Sequence, residues 1–496
     1  MASATLTRPD PGPDPAGGRG RRRPSIPALA LALLALGTLV GFLVYPTYPN
    51  YDSYYSLLWG REVLHGIRPS FDGYRTPTEH PLAVLFGAAL SLLGNAGDRV
   101  MVFATLVSFV LLAAGLYRLA RASFGWIVGL VAAALVCSRF DFPFLAARAY
   151  IDIPYLVFVV WAAALESERR RRGTPVFVLL ALAGLMRPEA WLLTGLYWLW
   201  CIVPATWSQR LRYSLLTAVS PVLWTLTDWW ATGRPLFSLQ HTSGLAEELG
   251  RQSSGISQVP DATWRFLQSL DKVPVLYAGV LGLILALVLV PRRTGMPVAL
   301  MAIGMGTFVL VGLAGLSVID RYLLVPSLVV MIFAGVTIGG WSMLRPGAAR
   351  TAWMVGAAAV VLYGAFFTAT RVNFSLFVAE LKFRDQSHAA LVDLFRQPKV
   401  RAGVRCGPVW TPNHKLVPDT RWVAGLSAGK VRARSDPKWG GRVTTGVVVL
   451  PSSRTALLRQ GFTQDVDTPL DTANVQPPAG WSFAGATEHY GAYVRC

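Results

Sequence analysis

Eleven stretches of the chain contain no charged residue: 24–51, 100–117, 122–138, 153–165, 173–186, 190–209, 213–227, 273–291, 294–319, 322–344 and 351–370. A helix that crosses a bilayer needs ~20 mostly apolar residues, and the shorter stretches reach that length once their polar ends are included. The pattern predicts a polytopic helical membrane protein. A further apolar segment, Pro81–Gly94, has only 14 residues. That length suits a helix lying in the membrane interface better than a span. Beyond Arg371 the pattern changes. The stretch 371–496 is polar and rich in Pro and Gly; Leu376–Gln397 reads as an amphipathic helix and Thr444–Pro451 as a buried strand.

The positions of Lys and Arg decide how the segments cross. With each stretch spanning once from a cytoplasmic start, the inner loops hold Arg118 and Arg121, the cluster Arg169 to Arg172, Arg210 and Arg212, Arg292 and Arg293, and Arg345 and Arg350. This is a consistent positive-inside pattern. If Pro81–Gly94 also crossed, every later loop would flip. The expected architecture is therefore about 11 transmembrane helices with an interfacial helix in the first outer loop, the N-terminus in and the C-terminus out. Residues 1–23 form a disordered basic cytoplasmic tail, 24–370 the transmembrane domain, and 371–496 a small extracytoplasmic α/β domain. The outer face receives the loops 47–99 and 231–272, the turn ending in AYIDIP, the turn at Asp320, and the whole C-terminal stretch.

Composition agrees. The 496 residues are 53% hydrophobic and 15% charged, against about 25% charged in soluble domains. The formal charge of +19 raises nucleic acid as a partner, but the basic residues sit in short inter-segment loops and form no separate basic face. Arg19, Arg21, Arg22 and Arg23 precede the first apolar stretch, which is long and ends in VYPTYPN without a small-x-small cleavage motif. It reads as a retained anchor in the cell membrane rather than a secretory signal. Cys406 and Cys496 both fall in the expected outer domain, where a disulfide is compatible with the compartment but not fixed by the sequence. Cys137 and Cys201 lie in spans and read as core residues.

On this topology three acids gather at the outer membrane surface: Asp52 after the first span, Asp152 at the start of the fourth, and Asp320 before the tenth. Charged residues at membrane depth are costly and mark function. At the interface they also serve as solvated helix caps, and the Ile-Pro after Asp152 fits an N-cap. Arg187-Pro188-Glu189 breaks an apolar stretch, and Asp320-Arg321-Tyr322 opens another. Each arginine could grip a phosphate through its forked donors, or merely pair with a neighbouring acid. Glu247, Glu248 and Arg251 could form part of a lid or a solvated helix face. His65, His80, His241 and His388 are isolated, with His80 the best placed.

The order of these residues resembles the GT-C superfamily of membrane glycosyltransferases, in the style of the protein O-mannosyltransferases and the lipid A aminoarabinose transferase. The features are Asp52 with Tyr54, Tyr55 and Trp59; His80-Pro81 opening a short apolar helix; Asp152 in the second outer turn; and Arg321-Tyr322 at a late span. Two departures stand out: Ser53 follows Asp52 where relatives often have Glu, and Leu82 replaces a second Pro. Glu62, Asp72 or Glu79 could supply a second acid, or none is needed.

The resemblance implies sugar transfer from a polyprenyl-phosphate carrier to an acceptor hydroxyl at the outer face. Asp52 would be the general base, with Asp152 a second acid that orients the base or the acceptor. Arg187, Arg321 and Tyr322 would hold the donor phosphate, and Tyr54, Tyr55, Glu79 and His80 are substrate-site candidates. No cluster has metal-ligand spacing, so no tightly bound cofactor is expected, although Asp52 and Asp152 could share a divalent cation. Membrane lipid and the lipid-linked sugar are the expected partners. A transporter or flippase for a lipid-linked sugar is the competing reading, but no internal repeat is visible. A non-catalytic envelope assembly protein is the third, and it requires Asp52 and Asp152 to be far apart.

Overall fold

In a computed structural model the described residues are 25–138, 140–248, 256–314, 318–371, 373–460 and 474–496. The basic segment 1–23 and Arg251 lie outside them.

The chain is a multi-pass helical membrane protein, and a helix occupies each of the eleven uncharged stretches. Among the described residues, six helices are long and apolar enough to cross a membrane: Ile26–Val44, Gly94–Phe124, Val259–Leu289, Pro291–Leu313, Asp320–Met343 and Ala348–Arg371. The pair Trp126–Ser138 and Asp141–Ala147, inclined at 63°, is a seventh if it forms one span. Asp152–Glu168, Thr174–Met186 and Glu189–Ile202 have only 17, 13 and 14 residues. Trp207–Thr232 is long, at 26 residues, but opens with arginines and is polar along one side. The uncharged stretches thus mark helices faithfully, while helix length separates six or seven clear spans from shorter members of the bundle.

The bundle is organised around Leu324–Gly339, nearly all of whose residues are buried. It is apolar on every side, as a helix with no face to solvent must be. Val259–Leu289 lies against it so closely that a Cβ at Gly282 would overlap the Phe333 carbonyl.

Pro81–Gly94 yields the helix Pro81–Ser91, too short to span. It packs on Tyr51–Leu64 through facing glycines. A Cβ at Gly60 would strike the backbone of Gly87 and Ala88, and one at Gly87 would strike the Ser56 carbonyl. This contact fixes the helix that carries Asp52.

The C-terminal stretch forms a five-stranded sheet. Its strands are β1 (Val409–Thr411), β2 (Val431–Ala433), β3 (Gly446–Pro451), β4 (Ser482–Ala486) and β5 (Tyr490–Arg495), in the order β2-β1-β3-β5-β4. β1 runs parallel to β2 and β3, and β5 is antiparallel to β3 and β4. The central strand β3 is buried at all six positions, as its unbroken VVVL run predicts. The expected amphipathic helix appears as Phe374–Arg396 and covers one face. A Cys406–Cys496 disulfide, with Cα atoms 5.3 Å apart, ties the helix Pro398–Cys406 to the residue after β5.

This sheet unit sits on Tyr51–Leu64. Arg421 meets Glu62 at 2.5 Å, with both side chains at most 10% exposed. Arg384 pairs with Asp419 at 2.5 Å and donates to the Pro49 carbonyl at 2.7 Å. Arg61 donates to the Leu426 carbonyl at 3.1 Å.

Candidate active site

Between the helical bundle and the sheet unit lies a cavity of about 950 Å³, lined by Asp52, His80, Arg187, Arg321 and Tyr322 among others. Short-range bonds explain why two acids a hundred residues apart converge on it. Asn50 caps Tyr51–Leu64 by accepting from the Ser53 N–H at 3.0 Å. The Asn50 side-chain amide donates to the Arg148 carbonyl at 3.2 Å and its backbone N–H donates to the same carbonyl at 2.8 Å. Ser53 Oγ donates to the Ala149 carbonyl at 2.5 Å. Two residues of the Asp52 helix start are thereby pinned to the turn that leads into Asp152.

The charges then interlock. Arg321 Nη1 lies 3.4 Å from Asp52 and 3.5 Å from Asp152. Arg187 lies 2.9 Å from Asp152 and 3.3 Å from Glu189. Asp152 is fully buried and the Arg187 side chain is 9% exposed, whereas Asp52 and Arg321 are 25% and 28% exposed. Asp152 is therefore an internal counter-ion for two guanidiniums, and Asp52 is the carboxylate that faces the cavity. Both of the pairings open for Arg187 are made. Arg321 pairs with Asp52 and Asp152 rather than with its neighbour Asp320. Tyrosine rings flank the cations: Tyr150 beside Arg321 at 5.4 Å, and Tyr322 and Tyr155 beside Arg187 at 5.5 and 5.8 Å.

His80 lines the cavity as N-cap of Pro81–Ser91. Burial, reinforced by repulsion from Arg187, lowers its pKa to about 3, so the ring is neutral at physiological pH.

Other expected site residues fall elsewhere. Tyr54 and Tyr55 are buried and point away from the cavity. Tyr54 donates to Asp98 at 3.2 Å, and Tyr55 packs its ring on Trp59 at 5.1 Å. Both pack in the apolar cluster with Trp59, Phe71 and Trp422, where the helix meets the sheet unit. Glu79 is fully buried beneath the cavity with Ser238 and Asp228; the Ser238 hydroxyl, in contact with Glu79 and 2.7 Å from Asp228 Oδ1, donates to one of the two carboxyls. Burial first, then the hydrogen bond and charge of Asp228, holds the Glu79 carboxyl well above the usual range. Glu62 belongs to the sheet-unit contact and Asp72 is exposed. None of the three suggested second acids lines the cavity. His65, His241 and His388 bond or stack within their own surroundings. Among the described residues no group of three His, Cys, Asp or Glu side chains is placed to hold a metal ion.

The structure adds lining residues that the sequence left unmarked: Arg75, Arg148, Tyr150, Glu380, Arg384, Lys415 and Arg459. Arg148 and Tyr150 sit in the same turn as Asp152, a local signal that was available. The last four come from beyond the final span, and nothing local links them to Asp52. Glu380 joins the two parts, 3.3 Å from Arg148 and bonded to Arg459. The helix Phe237–Glu248 forms another wall through Ser238, Leu239 and Thr242, with Glu248 held 2.9 Å from Arg75.

This arrangement of bundle, short first-loop helix and sheet unit shares its fold with solved membrane-protein structures. The chain is similar over 94% of its length to ArnT from Cupriavidus metallidurans bound to undecaprenyl phosphate, with 97% of that chain covered, a TM-score of 0.58 and 13% identity. It is also similar to the archaeal oligosaccharyltransferase AglB from Archaeoglobus fulgidus in complex with an inhibitory peptide and a dolichol-phosphate. There 94% of this chain and 74% of the other are covered, with a TM-score of 0.53 and 13% identity. No protein-family model and no curated protein matches the sequence.

Proposed function

We propose that the protein is a membrane glycosyltransferase that moves a sugar from a polyprenyl-phosphate carrier to an acceptor hydroxyl. The observation that carries this reading is one cavity that joins a cavity-facing carboxylate, Asp52, to two arginines. The non-catalytic reading requires the acids to be apart; here one Arg321 nitrogen reaches both.

In this mechanism Asp52 takes the proton of the acceptor hydroxyl as its oxygen attacks the anomeric carbon. The bond from that carbon to the phosphate oxygen breaks, and the departing polyprenyl phosphate carries the negative charge. Arg321 and Arg187 stabilise that charge. Arg321 bonds Asp52, so a donor phosphate that binds the guanidinium competes with the carboxylate and frees it to act as base. Asp152, buried and bonded to both arginines, keeps the pair in place and does not touch substrate. Neutral His80, with its one N–H turned to the Met186 carbonyl, offers Nδ1 as an acceptor for a sugar hydroxyl without adding charge.

The topology that goes with this activity has eleven crossings of the cytoplasmic membrane, with the N-terminus cytoplasmic and the unit 371–496 outside it. The shorter helices cross where local thinning of the bilayer and their flanking polar residues make up the missing length. The basic loops 118–121, 169–172, 210–212, 292–293 and 345–350 support this orientation.

The test is sugar transfer from a polyprenyl-phosphate donor by the full-length protein in reconstituted membranes. Wild-type transfer that is lost in Asp52→Asn supports the reading. Donor sugars that exchange across the membrane without transfer would replace it with a transporter.

A further inference from the structure

A second cavity, about 530 Å³ in volume, lies at the far end of the helices that present Asp152 and Arg187. Asp152–Glu168 has 17 residues, which at ~1.5 Å per residue separates its ends by about 25 Å. The two cavities therefore lie toward opposite ends of this helix. The walls of the second are apolar, with Val159, Val176, Leu180, Leu196 and Leu300 coming from four helices.

The mouth is of the opposite character. Arg170, Arg292 and Arg293 line it and all are exposed. None of the three forms an ion pair with a described residue, whereas the neighbouring Arg118 and Arg172 both pair with Glu168. Glu166 also lines this cavity, but it is turned into the wall. Its carboxylate accepts from the Tyr197 hydroxyl at 2.8 Å, the Trp200 indole at 3.2 Å, and the backbone N–H groups of Arg171 at 2.6 Å and Arg172 at 3.1 Å. Four donors favour the charged form of this carboxylate, and the three arginines at the mouth outnumber it. Next to it, Ser167 Oγ is buried at the cavity edge without a hydrogen-bond partner, a state that polar atoms rarely keep unless something else satisfies them.

We propose that this cavity binds an anionic glycerophospholipid. An acyl chain fills the apolar interior, the phosphate lies against Arg170, Arg292 and Arg293, and the Ser167 hydroxyl donates to a phosphate or ester oxygen. Basic pockets between membrane helices recognise such headgroups, and the volume is in the range of small-molecule sites. A free phosphate would leave the apolar interior empty, and a neutral lipid would leave the three cations uncompensated. The inference needs only that these helices lie in a membrane and does not rest on the sugar-transfer reading.

The full-length protein in detergent, titrated with phosphatidylglycerol or phosphatidylcholine and followed by native mass spectrometry, tests it. Wild type should hold phosphatidylglycerol in preference to phosphatidylcholine. Arg292→Ala/Arg293→Ala, which removes two exposed cations, should weaken that binding about thirtyfold. Ala299→Trp, which fills the cavity without changing charge, should also abolish it, and millimolar inorganic phosphate should not displace the lipid. Equal retention of the two lipids would overturn the proposal, as would retention unchanged in either variant. Displacement by phosphate together with an indifferent Ala299→Trp would make it a simple anion site instead.

Discussion

Replacing Asp52 by Asn separates the proton acceptor from the scaffold. The Asp52–Arg321 pair is 3.4 Å long and about a quarter exposed on both sides. A pair so open to solvent contributes at most ~1 kcal/mol to stability, and Asn preserves the side-chain volume. The chemical loss should be far larger: removal of a general base costs roughly 10² to 10⁴ in turnover. Asp152→Asn should behave in the opposite proportion. That carboxylate is fully buried 2.9 Å from Arg187, and its loss leaves two guanidiniums with only Glu189 and Asp52 against them, at a cost approaching the ~3–5 kcal/mol of a broken buried pair. Donor turnover and thermal unfolding of the two variants, measured side by side in the same reconstituted membranes, give the comparison. If Asp52→Asn keeps more than about a tenth of wild-type turnover, well inside the ordinary general-base effect, Asp52 is not the base. If it unfolds as readily as Asp152→Asn, the division between a reacting and a supporting acid is wrong.

Glu79 supplies a pH dependence. Its folded-state pKa is raised, so its contribution to stability is complete below the unfolded value near ~4.3 and declines as pH rises through the folded value. Glu79→Gln should flatten that alkaline decline and be the more stable protein at pH 8 in thermal scans; an unchanged slope would refute the assignment. His80 acts with the opposite sign: its pKa falls to about 3, so its contribution is full above ~6.5 and is lost as pH drops toward 3. His80→Gln should remove that acid-side loss from the same scans. Gly60→Val should separate Tyr51–Leu64 from Pro81–Ser91 and cost ~1–3 kcal/mol or more; normal expression and activity would show that the close contact is dispensable. Cys406→Ser/Cys496→Ser opens a loop of sequence separation 90 and should destabilise the sheet unit by ~2–5 kcal/mol, seen as faster proteolysis there while the bundle stays protected.

The legible features were those with a period or a run. Uncharged stretches gave the helices because a bilayer-facing helix tolerates little charge, and the VVVL run gave β3 because a central strand is apolar on both faces. Asp152 and Arg321 were visible because charge at the rim of an apolar segment is expensive enough to stand out. Tyr54 and Tyr55 were misplaced for a different reason. An aromatic beside an acid carries no mark of which helix face it occupies, and here the faces of Tyr51–Leu64 divide between the cavity and the sheet unit. Glu380, Arg384, Lys415 and Arg459 left no signal at all, since their place depends on how a soluble unit docks onto the membrane part.

Ser53 shows how far a departure from a family pattern can be read once its surroundings are known. In sequence it marks the absence of a second acid beside Asp52. In the structure it is fully buried and its hydroxyl donates to the Ala149 carbonyl at 2.5 Å. A carboxylate there would face a carbonyl oxygen with no donor of its own, a burial of charge that proteins avoid. An acid at this point is thus incompatible with the way this chain joins its first loop to the Asp152 turn. What Ser53 gives up in charge it supplies as a brace, because the bond it makes is one of those that bring Asp52 and Asp152 within reach of the same guanidinium.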